Sequence, residues 1–167
     1  FTTNETSSYE NVSLSGGFAS SPVILTSIVT INDSETVTGR VRSINSAGFQ
    51  FKLQEQEVNA KSHGLETVAY LAWSQGMGVT NGIRFEAGNT GDIVTHRSYK
   101  IPVAQDFGEL PFHFADMQTT DGGDTSALRI TSAGLSDLDV FVEEEGSRDT
   151  ETNHTKEVAG FLVILPQ

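Results

Sequence analysis

His63 and Glu66 stand three residues apart in "SHGLETVAYLAW", residues 62–73, and His154 and Glu157 stand three apart in "NHTKEVAGFLVI", residues 153–164. An imidazole beside a carboxylate can hold a sugar hydroxyl or a metal ion, or move a proton. It can equally be a buried, hydrogen-bonded pair that closes a turn. Residues three apart face opposite sides of a strand, so such a pair meets only in the turn that enters one. The apolar run after each Glu marks that strand. Two more pairs offer a donor and an acceptor, Asp33 with Arg42 and Asp121 with Arg129. A guanidinium and a carboxylate on one rim supply the hydrogen bonds that a neutral sugar needs. Across neighbouring strands they make only a salt bridge worth ~0–1 kcal/mol.

The doubled His-x-x-Glu belongs to a longer internal repeat. Phe18 answers Phe107, Pro22 answers Pro111, Thr30 answers Thr119, Asp33 answers Asp121 and Arg42 answers Arg129. "SAG" occurs at 46–48 and at 132–134, and Glu55 answers Glu144. The order never breaks, and the small changes of spacing fall where loops are expected. Phe1 is aligned with Phe85, which divides the chain into residues 1–84 and 85–167.

The elements that must position these residues read as β-strands. Phe49, Phe51 and Leu53 alternate with Gln50, Lys52 and Gln54, the period of a half-buried strand, and Leu138, Val140 and Val142 repeat it. "PVILTSIVTI" is rich in β-branched residues behind a Pro suited to a strand start. "TVAYLAW" and "EVAGFLVIL" are apolar on both faces, as central strands of a sandwich are. Turn clusters such as "NDSE", "TDGGD" and "AGNTG" separate the strands, and no window carries a helical stripe. The pattern predicts an all-β protein of two tandem antiparallel β-sandwich repeats, about six strands each, related by a pseudo-two-fold.

Composition narrows the function. Twenty-two acidic residues against ten Lys plus Arg give a net charge of −12, which repels nucleic acid and anionic membrane. The absence of Cys removes thiol catalysis, thiolate metal sites and disulfides. Nothing matches a nucleophile elbow, a P-loop or a zincin helix, so no catalytic residue is expected. The acidic runs "QEQE" and "VEEEGSRDTE" have the oxygens that Ca²⁺ wants, yet match no calcium loop. A solvated acidic edge, with no cofactor, is the expectation. Trp73, the only Trp, ends an apolar run and is expected in core or interface packing.

Phe18, Pro22, "VILTSI", Asp33, Arg40 or Arg42, Gly48-Phe49 and "VAYLAW" together resemble the H-type lectin domain, the snail-agglutinin and discoidin C-terminal type. Phe107, Pro111, Asp121, Arg129, Gly134-Leu135 and "VAGFLVI" follow the same pattern, so the likeness spans the chain as two tandem copies. The resemblance implies six-stranded sandwiches that assemble as oligomers and bind galactose-type sugars between protomers through an Asp and an Arg. The family's Trp-His pair after the Gly-Phe strand is replaced here by "QEQEVNAKSH" and "EEEGSRDTETNH". The reading is a noncatalytic glycan-binding module, an accessory part of a larger secreted bacterial enzyme or adhesin. Asp33, Arg42, His63, Glu66, Asp121, Arg129, His154 and Glu157 are the candidate sugar contacts. The rival is a structural or oligomerisation module that keeps the lectin fold without a sugar site.

Overall fold

A computed structural model describes residues 1–59 and 62–167. The strands are β1 (Thr2–Thr3), β2 (Glu10–Ser13), β3 (Val23–Ile28), β4 (Val37–Asn45), β5 (Gly48–Glu55), β6 (Glu66–Trp73), β7 (Gly76–Thr80), β8 (Ile83–Asn89), β9 (Tyr99–Pro102), β10 (Phe112–Met117), β11 (Ser126–Ala133), β12 (Asp137–Glu144) and β13 (Ala159–Pro166). A single 3-10 turn, Glu57–Asn59, is the only helical piece among the described residues. Every strand pairing is antiparallel.

The two halves are built on one plan. In the first, β2-β5-β4 and β1-β6-β3 form two three-stranded sheets; in the second, β9-β12-β11 and β10-β13-β8 do the same, with β7 added outside β8. The alternation expected for residues 49–53 and 138–142 is observed: Phe49, Phe51 and Leu53, and Leu138, Val140 and Val142, point into two separate apolar cores. Each such side chain contributes roughly 1.5–3 kcal/mol when fully buried. The boundary drawn at 84/85 runs through β8, whose Arg84 and Phe85 pair with Leu165 and Ile164. Asn81 and Gly82, with φ of 48° and 74°, make the two-residue turn that joins β7 to β8. Asn-Gly adopts that left-handed pair at low cost.

Ladders and loop hydrogen bonds correct four of the sequence alignments: Asn32 and Asp33 N–H donate to Glu66 as Asp121 and Gly122 N–H donate to Glu157, so Asp33 answers Gly122 and not Asp121. Glu55 pairs with Val37 and Glu144 with Ser126, while Arg40 pairs with Lys52 and Arg129 with Phe141. Arg129 is therefore the counterpart of Arg40, not of Arg42. The two "SAG" triplets do not coincide either: Gly48 opens β5, whereas Gly134 lies in the β11–β12 turn, and Leu138 takes the place of Phe49. Phe1 corresponds to Thr90 rather than Phe85, because Val68 N–H donates to Phe1 O just as Ala159 and Thr90 bond each other. In each case residues had been aligned by letter rather than by ladder or loop bond.

A third apolar cluster forms the seam between the halves. Val23, Leu25 and Trp73 of the first pack on Phe85, Ala87, Leu162 and Ile164 of the second, with Trp73 and Phe85 edge to face at 5.3 Å. Trp73 thus serves interface packing. Polar side chains extend the seam along the outer edge of β3. Gln118 accepts from Ile24 N–H at 2.9 Å and donates to Ile24 O at 2.7 Å, and Asp116 accepts from Thr26 N–H at 2.9 Å. Gln118 reaches across only because residue 160 is Gly: a Cβ there would meet Gln118 Cδ at 2.5 Å. These contacts satisfy strand-edge groups that would otherwise lack partners.

Candidate functional site

The repeated His-x-x-Glu builds the same buried node in each half. Glu66 opens β6, and its carboxylate accepts from Asn32 N–H at 2.7 Å, Asp33 N–H at 3.2 Å and the Thr30 hydroxyl. Glu157, just before β13, accepts in the same way from Asp121 N–H at 2.9 Å, Gly122 N–H at 3.0 Å and the Thr119 hydroxyl. The Glu therefore closes the loop after β3 or β10, whose backbone N–H groups are otherwise unpaired. His63 Nδ1 lies 3.0 Å from Glu55 and its Nε2 3.4 Å from Glu66. His154 Nδ1 lies 2.6 Å from Glu144 and its Nε2 3.0 Å from Glu157. Each His thus ties the last residue of β5 or β12 to the loop. All four residues, His63, Glu66, His154 and Glu157, are buried, so they stand inside the fold rather than on an open rim.

Electrostatics follow from this geometry. Burial alone would depress the His154 pKa, but hydrogen bonds to Glu157 and Glu144 override it and raise the value. With a carboxylate on each ring nitrogen, imidazolium donates twice. Burial likewise opposes ionisation of Glu157, yet His154, Thr119 and two backbone N–H groups bring its pKa down to about 2. The Thr30 hydroxyl leads the causes that lower Glu66.

Arg40, offered by the sequence only as the alternative to Arg42 on the Arg-bearing strand, is the residue that the candidate pairs left out. It is fully buried at the seam, donating to Asp124 O at 3.0 Å, Ser126 Oγ at 2.6 Å and Glu157 Oε1 at 3.2 Å. The Arg-bearing strand was a visible signal, but Arg40 and Arg42, two apart, share one face of β4, and the strand alone left open which of them the second half covers. Its neighbour Arg42 is exposed, bonds Gln50 at 2.9 Å and lies over the Tyr9 ring at 3.7 Å. Arg129 is exposed and paired with Glu143.

Asp33 caps its own loop by accepting from Gly64 N–H at 2.8 Å, and that bond leads the causes that lower its pKa. Asp121 contributes its backbone N–H to Glu157, while burial and the Glu157 charge raise its own pKa. Among the described residues no hydrogen bond or ion pair joins Asp33 to Arg42 or Asp121 to Arg129. The acidic run at 143–145 is also put to structural use: Glu144 holds His154, and Glu145 accepts from Glu57 N–H across the seam at 3.0 Å.

One open feature on the seam is a groove of about 510 Å³. Lys52, Gln54 and Glu57 line it from the first half, and Asp124, Thr125 and Arg148 from the second. Gln54 donates to Gly123 O at 2.8 Å across the groove, and its buried Oε1 has no partner among the described residues. Lys52 is pushed down by burial and then by Arg40 and Arg42, and Glu57 is pushed up by burial and Asp124. Part of the stretch that replaces the lectin family's Trp-His pair, residues 60 and 61, lies outside the described residues.

The fold defines an all-β protein of antiparallel sheets, of the β-sandwich kind, with two buried His–Glu nodes. No family model and no solved structure matches the chain. It is 30% identical over 166 residues, 96% of its length, to Halomucin of Haloquadratum walsbyi (strain DSM 16790 / HBSQ001), of which it spans about 2%. No helix among the described residues is long and apolar enough to cross a membrane.

Proposed function

We propose that this chain is a noncatalytic carbohydrate-binding module of an extracellular protein, taking a neutral or galactose-rich polysaccharide in the seam groove. The groove carries the reading: it sets cationic and amide donors, Lys52, Arg148 and Gln54, beside carboxylate acceptors, Glu57 and Asp124. A sugar ring presents hydroxyls that donate and accept in turn, and such a mixed lining answers both. The likeness to H-type lectins points to the same ligand class, with the contacts moved from the rims to the seam. The relative is archaeal, so the bacterial host expected from the sequence is not carried over. The net charge of −12 disfavours polyanions, and neutral binding releases few counterions, so salt should matter little. Affinity electrophoresis in neutral galactan tests the reading. Retardation should be lost in a Lys52→Ala/Arg148→Ala double variant and retained in Arg42→Ala/Arg129→Ala. Mobility equal to that of an inert protein, or preference for a sulfated polymer that vanishes in salt, would overturn it.

A further inference from the structure

The loop after β3 and the loop after β10 correspond residue for residue. Residues 30–37 align with 119–126 without a gap, Thr30 with Thr119 and Val37 with Ser126, and the two loops bond Glu66 and Glu157 alike. In the second half this loop holds a guanidinium. Arg40 donates to Asp124 O at 3.0 Å, to Ser126 Oγ at 2.6 Å and to Glu157 Oε1 at 3.2 Å. The matching residues of the first half, Glu35, Val37 and Glu66, stand together in the wall of an open pocket of about 310 Å³.

The rest of that wall suits a cation. Asp33, Glu35 and Glu66 bring three carboxyl groups, and among the described residues no Lys or Arg lines the pocket. The Thr30 hydroxyl leads the causes that hold Glu66 below the usual carboxylate range, and the bond from Gly64 N–H leads those for Asp33. Both are therefore charged near neutral pH. His63 is an independent sign of a ligand. Its side chain is 1% exposed, yet its Nε2 has no hydrogen-bond partner. Nδ1 is turned to Glu55, which lies outside this pocket, and Nε2 to Glu66, in its wall, at 3.4 Å without bonding it. With the proton on Nδ1, Nε2 is an acceptor that lacks a donor. The planar fork of a guanidinium can meet Nε2 and Glu66 Oε1 together. Ile28 and Val37 give its stem an apolar side to lie on.

We propose that this pocket is a guanidinium site, taking an arginine side chain presented by a partner much as the second half takes Arg40. Asp33, Glu35, Glu66 and His63 set its chemistry, whichever chain brings the arginine. It shares no lining residue with the seam groove, so it stands apart from the sugar reading of that groove.

The test titrates the full chain with N-acetyl-arginine amide and follows the backbone amides by NMR. Saturable shifts are expected at Asn32, Asp33 and Gly64, with a dissociation constant on the order of millimolar. N-acetyl-lysine amide has the same charge without the fork and should bind several-fold more weakly. The citrulline analogue has the same shape without the charge and should give no shift. Glu35→Gln removes a carboxylate from the wall and should weaken the arginine probe. Val37→Thr supplies the hydroxyl that Ser126 gives to Arg40 and should tighten the probe about threefold, a gain that misfolding cannot produce. The same shifts on concentrating the protein without probe would identify a second copy as the source of the arginine. Their absence, with the probe still bound, would assign it to a different partner. Equal shifts from the arginine and citrulline probes, equal affinity for the lysine probe, or no saturable shift at these amides would overturn the proposal.

Discussion

The two His–Glu nodes share a wiring plan but differ in how tightly it is drawn. Around Glu157 the backbone donors, the Thr hydroxyl and the imidazole are joined by Arg40 from the other half. Around Glu66 no such Arg arrives: Arg129, the counterpart of Arg40, is exposed and bonded to Glu143. A glycine marks the difference. Gly122 stands where the first half has Asp33, and a Cβ there would lie 2.2 Å from His154 Cε1. Its absence lets His154 close on Glu157 at 3.0 Å, against 3.4 Å for His63 and Glu66. In the first half the roles are exchanged. Asp33 carries the side chain, and Gly64 gives it room, since a Cβ there would meet Asp33 Oδ2 at 3.2 Å. One node has become the anchor of the seam, and the other has stayed a loop clasp.

Arg40→Ala should expose this difference most strongly. It leaves Glu157 buried with its long-range cation gone and Ser126 Oγ without its donor. Breaking a buried pair on one side costs ~3–5 kcal/mol. Urea unfolding should show that loss, and it should fall on the contacts between halves, with exchange rising at Ile24 and Thr26. A loss below about 1 kcal/mol would mean that the seam is held by its apolar cluster alone.

Gly122→Ala comes next. The clash is with an imidazole wedged between two carboxylates, so relief requires moving the node; overpacking of this kind costs ~1–3 kcal/mol. Gly64→Ala, where the nearest atom is an Asp carboxylate at 3.2 Å, should cost less. Equal effects of the two, measured by thermal unfolding, would show that the nodes are equally tight.

Much of the fold was legible because its signals are local. The alternation in 49–53 and 138–142, the Pro at the start of β3 and the ordered matches each report one strand or one loop. The β7–β8 hairpin was legible too, from Asn81-Gly82, but that dipeptide was passed over. The node was half legible. The His-x-x-Glu spacing announced a recurring pair, and burial decided between the two meanings the pair allowed. The seam was not legible, because it depends on which of two Arg on the same face of β4 the second half covers and on Gly160 leaving room for Gln118. Neither Asp33 with Arg42 nor Asp121 with Arg129 forms a pair, since Asp33 is spent on Gly64 and Arg129 on Glu143.

The second node also predicts a pH optimum. Burial raises Asp116 from 3.8 to about 6 despite its bonds to Thr26. The folded chain therefore holds a proton that the unfolded chain releases, and this group adds stability as pH falls through that window. His154 is raised above 6.5, so its contribution is complete below 6.5 and is lost as pH rises through its folded value. Glu157 is lowered from 4.5 to about 2, so its contribution is complete above 4.5 and is lost as pH falls toward 2. The three together place the highest melting temperature between pH 4.5 and 6.5. Asp116→Asn should flatten the rise below pH 6 and leave the decline above 6.5 in place. A melting temperature that climbs steadily from pH 5 to 8 would contradict the assignment of both groups.

The smallest effect should come from Arg129. Its partner Glu143 lies on β12 two residues beyond Phe141, which stands opposite Arg129, and both side chains are about half exposed, at 60% and 47%. Solvent screens such a pair, and holding two long side chains in place costs entropy, so its coupling should be ~0.2–1 kcal/mol. A double-mutant cycle of Arg129→Ala and Glu143→Ala in low salt should read a value in that range. At 1 M salt, where charges are screened beyond about 3 Å, the coupling should fall toward zero. Arg40 and Arg129 hold the same ladder position, so the cycle measures what the seam adds to an arginine. A coupling for Arg129 and Glu143 as large as the loss from Arg40→Ala would mean that burial at the seam adds nothing, and the two nodes would have to be regarded as equivalent.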